Sequence, residues 1–220
     1  MREIFSEHLK SLVKDVTDMS EMVITATYRS VEALKARNID QAKQVIKDDL
    51  LINQKRWDIE EKCINLIARQ QPVASDLREI IAVLNIITDL ERMGDYAEGI
   101  AKIVVMLGND PLVKPLVNIP KMADKTIAML KRSIEAFANR DTKAAKAICN
   151  QDDEVDALYN QVYHDVLMIM IEKPHLVEKA TPLIWAAHNL ERIADRVTNI
   201  CERIVFLVTG SMQEINVSTY

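Results

Sequence analysis

Apolar residues recur at alternating steps of four and three along the start of the chain: Phe5, Leu9, Leu12, Val16, Met19, Val23, Ala26 and Ala33, with Ser30 as the one polar member. A seam of this period predicts a single long helix through about residue 37. Asn38-Ile39-Asp40 interrupts it, and Asp40 is placed to cap a second helix running to about Ala68. Gln71-Pro72 ends that helix, and Ser75 or Asp76 can cap a third that reaches Leu107-Gly108. Gly108-Asn109-Asp110-Pro111, followed by Pro115 and Pro120, is the only concentrated run of breakers and lies at mid-chain. The series then recurs as a helix from about Pro120 to Ala138, a turn at Asn139-Arg140-Asp141, a helix to about Glu172, Lys173-Pro174, and a last helix ending at Gly210. Pro182 either kinks that last helix or, with Thr181 as N-cap, starts it afresh.

The two halves match position by position. Ala42-Lys43 corresponds to Ala145-Lys146, Asp49 to Asp152, and Ile52-Asn53 to Val155-Asp156, all offset by 103. Glu91 and Asp95 correspond to Glu191 and Asp195 at an offset of 100, which implies a slightly shorter turn region in the second half. The expected fold is therefore all-α: six long antiparallel helices arranged as a tandem duplication of a three-helix bundle, with units over residues 1–110 and 111–220.

Composition agrees with helix and narrows the chemistry. Hydrophobic residues make up 49% of the 220, enough for a core, while four Gly and six Pro leave little for hairpins. A net charge of -5 argues against a nucleic-acid partner, which needs a basic face. No apolar stretch is long enough to insert in a membrane, and the charged N-terminus lacks a signal-peptide core, so a soluble cytoplasmic protein is expected. Cys63, Cys149 and Cys201 are widely spaced and read as core residues. The apolar seam of the first helix is expected to pack within the chain, with any exposed part a candidate docking or dimer surface.

The candidate chemistry is acidic. Residues four apart share a helix face, so Glu91 with Asp95 and Glu191 with Asp195 form two carboxylate edges. Counting from the turn at Pro72, Glu91 and Asp95 lie 19 and 23 residues after it, and Asn53 and Asp49 lie 19 and 23 before it. Around Pro174, Glu191 and Asp195 lie 17 and 21 after, and Asp156 and Asp152 lie 18 and 22 before. Each third-helix edge should thus sit level with an edge on the preceding helix. Acids converging in this way resist ionisation unless a cation compensates them, and an all-oxygen set suits Mg, Mn, Ca or Fe better than Zn. The competing reading is a solvated acidic face neutralised by Arg92, Arg192, Arg196 and nearby lysines. Asn53 lowers the charge of the first set, so the second should bind more tightly. A carboxylate-bridged di-iron enzyme or metal store would need Glu-x-x-His on two helices, which the chain lacks. His188 lies one turn from Glu191 and is placed to support the second set or simply to occupy the surface.

The segments QPVASDLREIIAVL, DLERMGDYAEGIAK and NLERIADRVTNICE resemble the PhoU family of bacterial phosphate-transport accessory proteins, over nearly the whole chain. The resemblance implies tandem three-helix bundles, often dimeric, with multinuclear metal clusters on acid-x-x-x-Asp pairs. By position the metal-binding acids are Glu91, Asp95, Glu191 and Asp195, joined by Asp49, Asp152 and Asp156 and, in the first unit, by Asn53. Arg92, Arg192, His188 and Asn199 are expected beside them. Two departures stand out: Gly99 occupies a position where the family often has Asn, which the second unit keeps as Asn199, and Ala194 replaces the usual Gly. The implied role is non-enzymatic: a negative regulator of phosphate uptake and of the phosphate-starvation response. It would link a phosphate ABC transporter to a membrane sensor histidine kinase, as a homodimer with peripheral membrane association at most.

Overall fold

The computed structural model describes residues 2–212 and 215. Among them there is no strand. The helices are α1 (Arg2–Ala36), α2 (Ile39–Gln70), α3 (Ala74–Leu107), α4 (Asn118–Asn139), α5 (Thr142–Cys149), α6 (Asp152–Glu172) and α7 (Val177–Thr209). The first three form one bundle, and α4, α5 with α6, and α7 form the second.

The duplication is visible in the turns as well as in the helices. Arg37 and Arg140, 103 residues apart, both take left-handed backbone conformations. The amide after each bonds the carbonyl five residues back, Asn38 to Ala33 and Asp141 to Ala136, both at 2.9 Å. This six-to-one closure satisfies the end of one helix, and the same Asn38 and Asp141 side chains then cap the next. Asn38 accepts from the Gln41 amide, so the cap of α2 lies two residues before the expected Asp40, which sits in the first turn. Likewise α3 begins at Ala74 without a side-chain cap, and Ser75 and Asp76 fall inside its first turn.

One further expectation needs correction, and an open alternative is decided. The fifth helix is not continuous: it breaks at Asn150-Gln151, where Asn150 has weak helix propensity and the Gln151 amide tightens onto the Ile148 carbonyl. The break leaves Asp152 at the first position of α6. The last helix does not restart at Thr181. After a short 3₁₀ turn at Pro174–Leu176 it runs from Val177 through Pro182, and the Thr181 hydroxyl donates back to the Val177 carbonyl, as a helix-interior residue does.

The apolar seam of α1 faces inward as expected: Leu12, Val16, Met19, Val23 and Ala33 are buried, and the Ser30 hydroxyl is satisfied by the Thr27 carbonyl. All three cysteines are buried and unbridged. One contiguous apolar cluster runs through both bundles, with Ile86, Leu90, Met93 and Ile100 of α3 fully covered. Burial of each such side chain contributes about 1.5–3 kcal/mol.

The bundles join through α3 and α7, which pack antiparallel, and through α1 and α4. A local two-fold relation governs the α3/α7 seam. Asp89 Oδ1 accepts from Asn199 (3.2 Å) and from Arg196 (3.1 Å). At the related place Asn189 lies 3.0 Å from where a Cβ on Gly99 would stand. Gly99 is therefore accounted for: Asn189 fills the space that a side chain there would need. Asp89 is buried, and burial raises its pKa against the opposing pull of Asn199 and Arg196.

Removing the guanidinium would leave a buried carboxylate with one donor. Arg196→Ala is expected to cost about 1–3 kcal/mol in denaturant unfolding, and the cost should shrink by at least half in an Asp89→Asn background. Additive losses would contradict the pairing.

Candidate metal centre

The long helices carry the eight predicted positions to mid-molecule. Asp49 and Asn53 lie on α2 opposite Glu91 and Asp95 on α3; Asp152 and Asp156 lie on α6 opposite Glu191 and Asp195 on α7. Close approach of α2 to α3 is set by Gly94: an added Cβ would stand 3.2 Å from Asp49 Oδ1 and from two carbons of Ile52. Ala194 holds the matching place in α7.

Asp49 and Asp152 are the innermost acids, 8% and 4% exposed. In each, Oδ1 is buried and has no hydrogen-bond partner. The same oxygen of the same residue type is thus orphaned at the equivalent place in both units. Asp49 Oδ2, by contrast, accepts from Asn53 at 2.9 Å. A buried carboxylate oxygen without a donor is costly, and such groups call for an explanation.

The electrostatics point the same way. Burial first, then Glu98, Asp95 and Glu91, push the Asp49 carboxyl up to about 6, against the donation from Asn53. Burial and then Asp156, Asp195, Glu191 and Asp153 push Asp152 up to about 7. Asp156 is raised by burial, Asp195 and Asp153, and Asp195 by burial and Glu191. Arg192 opposes both shifts.

Arginines lie on the acid edges. Arg92 pairs with Glu91 (3.5 Å) and Asp95 (3.2 Å), and Arg192 with Glu191 and Asp195 (both 3.1 Å). His188 is exposed, with its ring 6.1 Å from that of Tyr159, and its charge reaches Asp195. Asn199 stands elsewhere than expected. It donates to Asp89 on α3 instead.

Among the described residues no three acid, imidazole or thiol side chains stand close enough to enclose an ion. The outer acids are paired instead with Arg92 and Arg192. The donor chemistry nonetheless fits a hard cation: the donors are oxygens, and two of them are buried and unsatisfied.

Glu98 is the participant that sequence reasoning missed. It follows Asp95 by three, so Glu91, Asp95 and Glu98 share one face of α3, and among the charges acting on Asp49 it ranks first. Its counterpart is Thr198, whose hydroxyl donates to the Asp195 carbonyl. Asn53 removes a charge from the first set and Glu98 adds one beside Asp49, as Asp153 adds one beside Asp152.

Asp49 and Asp152 keep their protons to higher pH when folded than an unfolded aspartate does. Between about pH 4 and 7 the folded chain then binds more protons than the unfolded one, so metal-free stability falls as pH rises through that window. Asp15 and Asp48, lowered despite burial by Lys55 with Lys62 and by Arg29 with Gln44, act below it, where their stabilisation fades as pH falls. Metal-free protein is expected to melt lower at about pH 7.5 than at about pH 5.5, and Mn or Mg to restore the difference, less so in Glu98→Gln. A flat profile with no metal response would contradict this.

Comparison with known proteins agrees with the duplicated helical fold. The PhoU domain profile matches residues 16–104 and again 119–204. A phosphate-specific transport system accessory protein PhoU homolog of Clostridium acetobutylicum is 38% identical over 98% of this chain and 99% of its own length. One from Aquifex aeolicus is 38% identical over 96% and 95%. The crystal structure of PhoU from Pseudomonas aeruginosa superposes with a TM-score of 0.89 at 31% identity, covering 94% of this chain and all of that one. That of the phosphate transport system regulatory protein PhoU from Streptococcus pneumoniae gives 0.89 at 30%, covering 95% and 99%.

Proposed function

The chain belongs to the PhoU family, and on that premise we propose that it is the accessory regulator of a phosphate-specific transport system. It acts as a negative regulator of the phosphate-starvation response, and as an adaptor between a phosphate ABC transporter and a membrane sensor histidine kinase. Relatives matched along nearly their whole length support the accessory role. No helix among the described residues is long and apolar enough to cross a membrane, so contact with a transporter would be made from the surface. Working as a homodimer on the cytoplasmic side belongs to the same reading.

The carboxylate sets serve as cation sites. Asp49, Glu91, Asp95 and Glu98, with Asn53, hold one hard ion or cluster, and Asp152, Asp156, Glu191 and Asp195 the other. The observation that carries this is the orphaned Oδ1 of Asp49 repeated at Asp152. Mg, Mn or Fe suits oxygen donors of this kind, and Zn suits them less. A bound cation would offset the repulsion between α2 and α3 and between α6 and α7, and so stiffen the faces offered to partners.

One genetic experiment tests both levels. A strain lacking this chain is expected to express phosphatase constitutively at high phosphate. The wild-type chain should restore repression, and Glu191→Gln with Asp195→Asn should restore it only in part. Normal repression in the deletion strain would refute the regulatory role. Full restoration by the double variant would refute a regulatory part for the second site while leaving the rest intact.

A further inference from the structure

The duplication allows each surface of one unit to be compared with its counterpart in the other, and one pair does not match. A groove of about 370 Å³ lies between α1 and α2, with Met22, Ala26, Val45, Leu51 and Ile52 in its lining. Its counterpart between α4 and α6, 103 residues later, is about 180 Å³. Both hold an equivalent polar bridge: Arg29 to Asp48 at 2.6 Å in the first and Arg132 to Gln151 at 2.9 Å in the second.

Three of the lining substitutions make the first groove more open and apolar. Where the second unit places Met129 in the floor, the first has Ala26, which leaves room for another side chain. Where the second closes its rim with an ion pair between Lys125 and Glu154, the first has Met22 and Leu51. Leu51 is 60% exposed, and Leu50 beside it is exposed as well. Each change swaps a filled or charged surface for an open apolar one, against the ordinary economy of a solvated helix pair.

We infer that the α1/α2 groove of the first unit is a docking site for a partner helix that presents an apolar side chain flanked by lysine or arginine. The volume suits one or two large apolar side chains, the scale of a helix-in-groove anchor. Charge selects the flank: among the described residues the Glu21 side chain on the rim makes no ion pair or hydrogen bond, while Arg29 and Asp48 already neutralise each other. One unpaired carboxylate beside an apolar slot is complementary to a basic amphipathic helix and repels an anionic lipid surface. The inference rests on the comparison of the two grooves and is independent of the metal sites and of the transport system served.

The test uses the second unit as its own control. The double substitution Met22→Lys with Leu51→Glu copies an ion pair that the fold already accommodates, so the variant should match the wild type in circular dichroism and melting temperature. A fluorescent Leu/Lys amphipathic helix is the probe, with a Leu/Glu helix of the same pattern beside it. Wild-type protein is expected to bind the Leu/Lys helix and the double variant about tenfold or more weakly, with Glu21→Lys intermediate. The reverse change, Lys125→Met with Glu154→Leu, should leave the first groove's binding unaltered. Equal binding by wild type and double variant, or equal binding of the Leu/Glu helix, would overturn the inference. So would an effect of the double variant confined to self-association in sedimentation or to adhesion to anionic vesicles.

Discussion

A carboxylate oxygen taken out of water without a donor costs free energy that the surrounding fold must offset. This chain bears that cost at Asp49 and again at Asp152, in the interior of two helix pairs where further acids surround them. Long helices make the arrangement sustainable. Asp49 and the third-helix acids lie well inside their helices, and Asp152 opens α6; they are backed by fully buried Leu90 and Met93 in one unit and by Leu190 and Ile193 in the other. A short or frayed helix would let them swing into solvent and lose the repulsion that makes the positions distinctive.

The α3/α7 seam ties the two sites into one body. Its polar contacts are related by a local two-fold, yet they have diverged: Asp89 with Asn199 and Arg196 on one side, Asn189 against Gly99 on the other. The same divergence within a kept frame recurs at the carboxylates, where Asn53 and Glu98 stand against Asp156 and Thr198, and at the grooves, where Ala26 and Leu51 stand against Met129 and Glu154. The caps and left-handed turns at Arg37 and Arg140 are common to both units, though the middle helix is continuous in the first and broken at Asn150-Gln151 in the second.

Much of this was legible in the residues. The four-three apolar steps of α1 and the equal distances of acids from Pro72 and Pro174 depend only on helix period and hairpin geometry, and both predicted the right faces. What escaped lay where local signals compete. Asn38 and Asp40 are both good caps, and the choice between them is made by the closure onto Ala33. The interruption at Asn150-Gln151 carries no Gly or Pro to announce it. Asn199 has the spacing of a site residue, but the partner that claims it, Asp89, comes from the other unit. Glu98 sat on the acid face by spacing alone, and only the facing Asp49 distinguishes it from an ordinary surface glutamate paired to Lys102.

The central claim is that these two orphaned oxygens are cation ligands. Anomalous diffraction from crystals of metal-free protein soaked in manganese tests it most directly. The account predicts a peak within about 2.0–2.6 Å of Asp49 Oδ1 and another at Asp152 Oδ1, with Glu91, Asp95 and Glu191, Asp195 turned from their arginines toward them. Crystals that take up manganese elsewhere, or not at all, and leave both oxygens bare would contradict it.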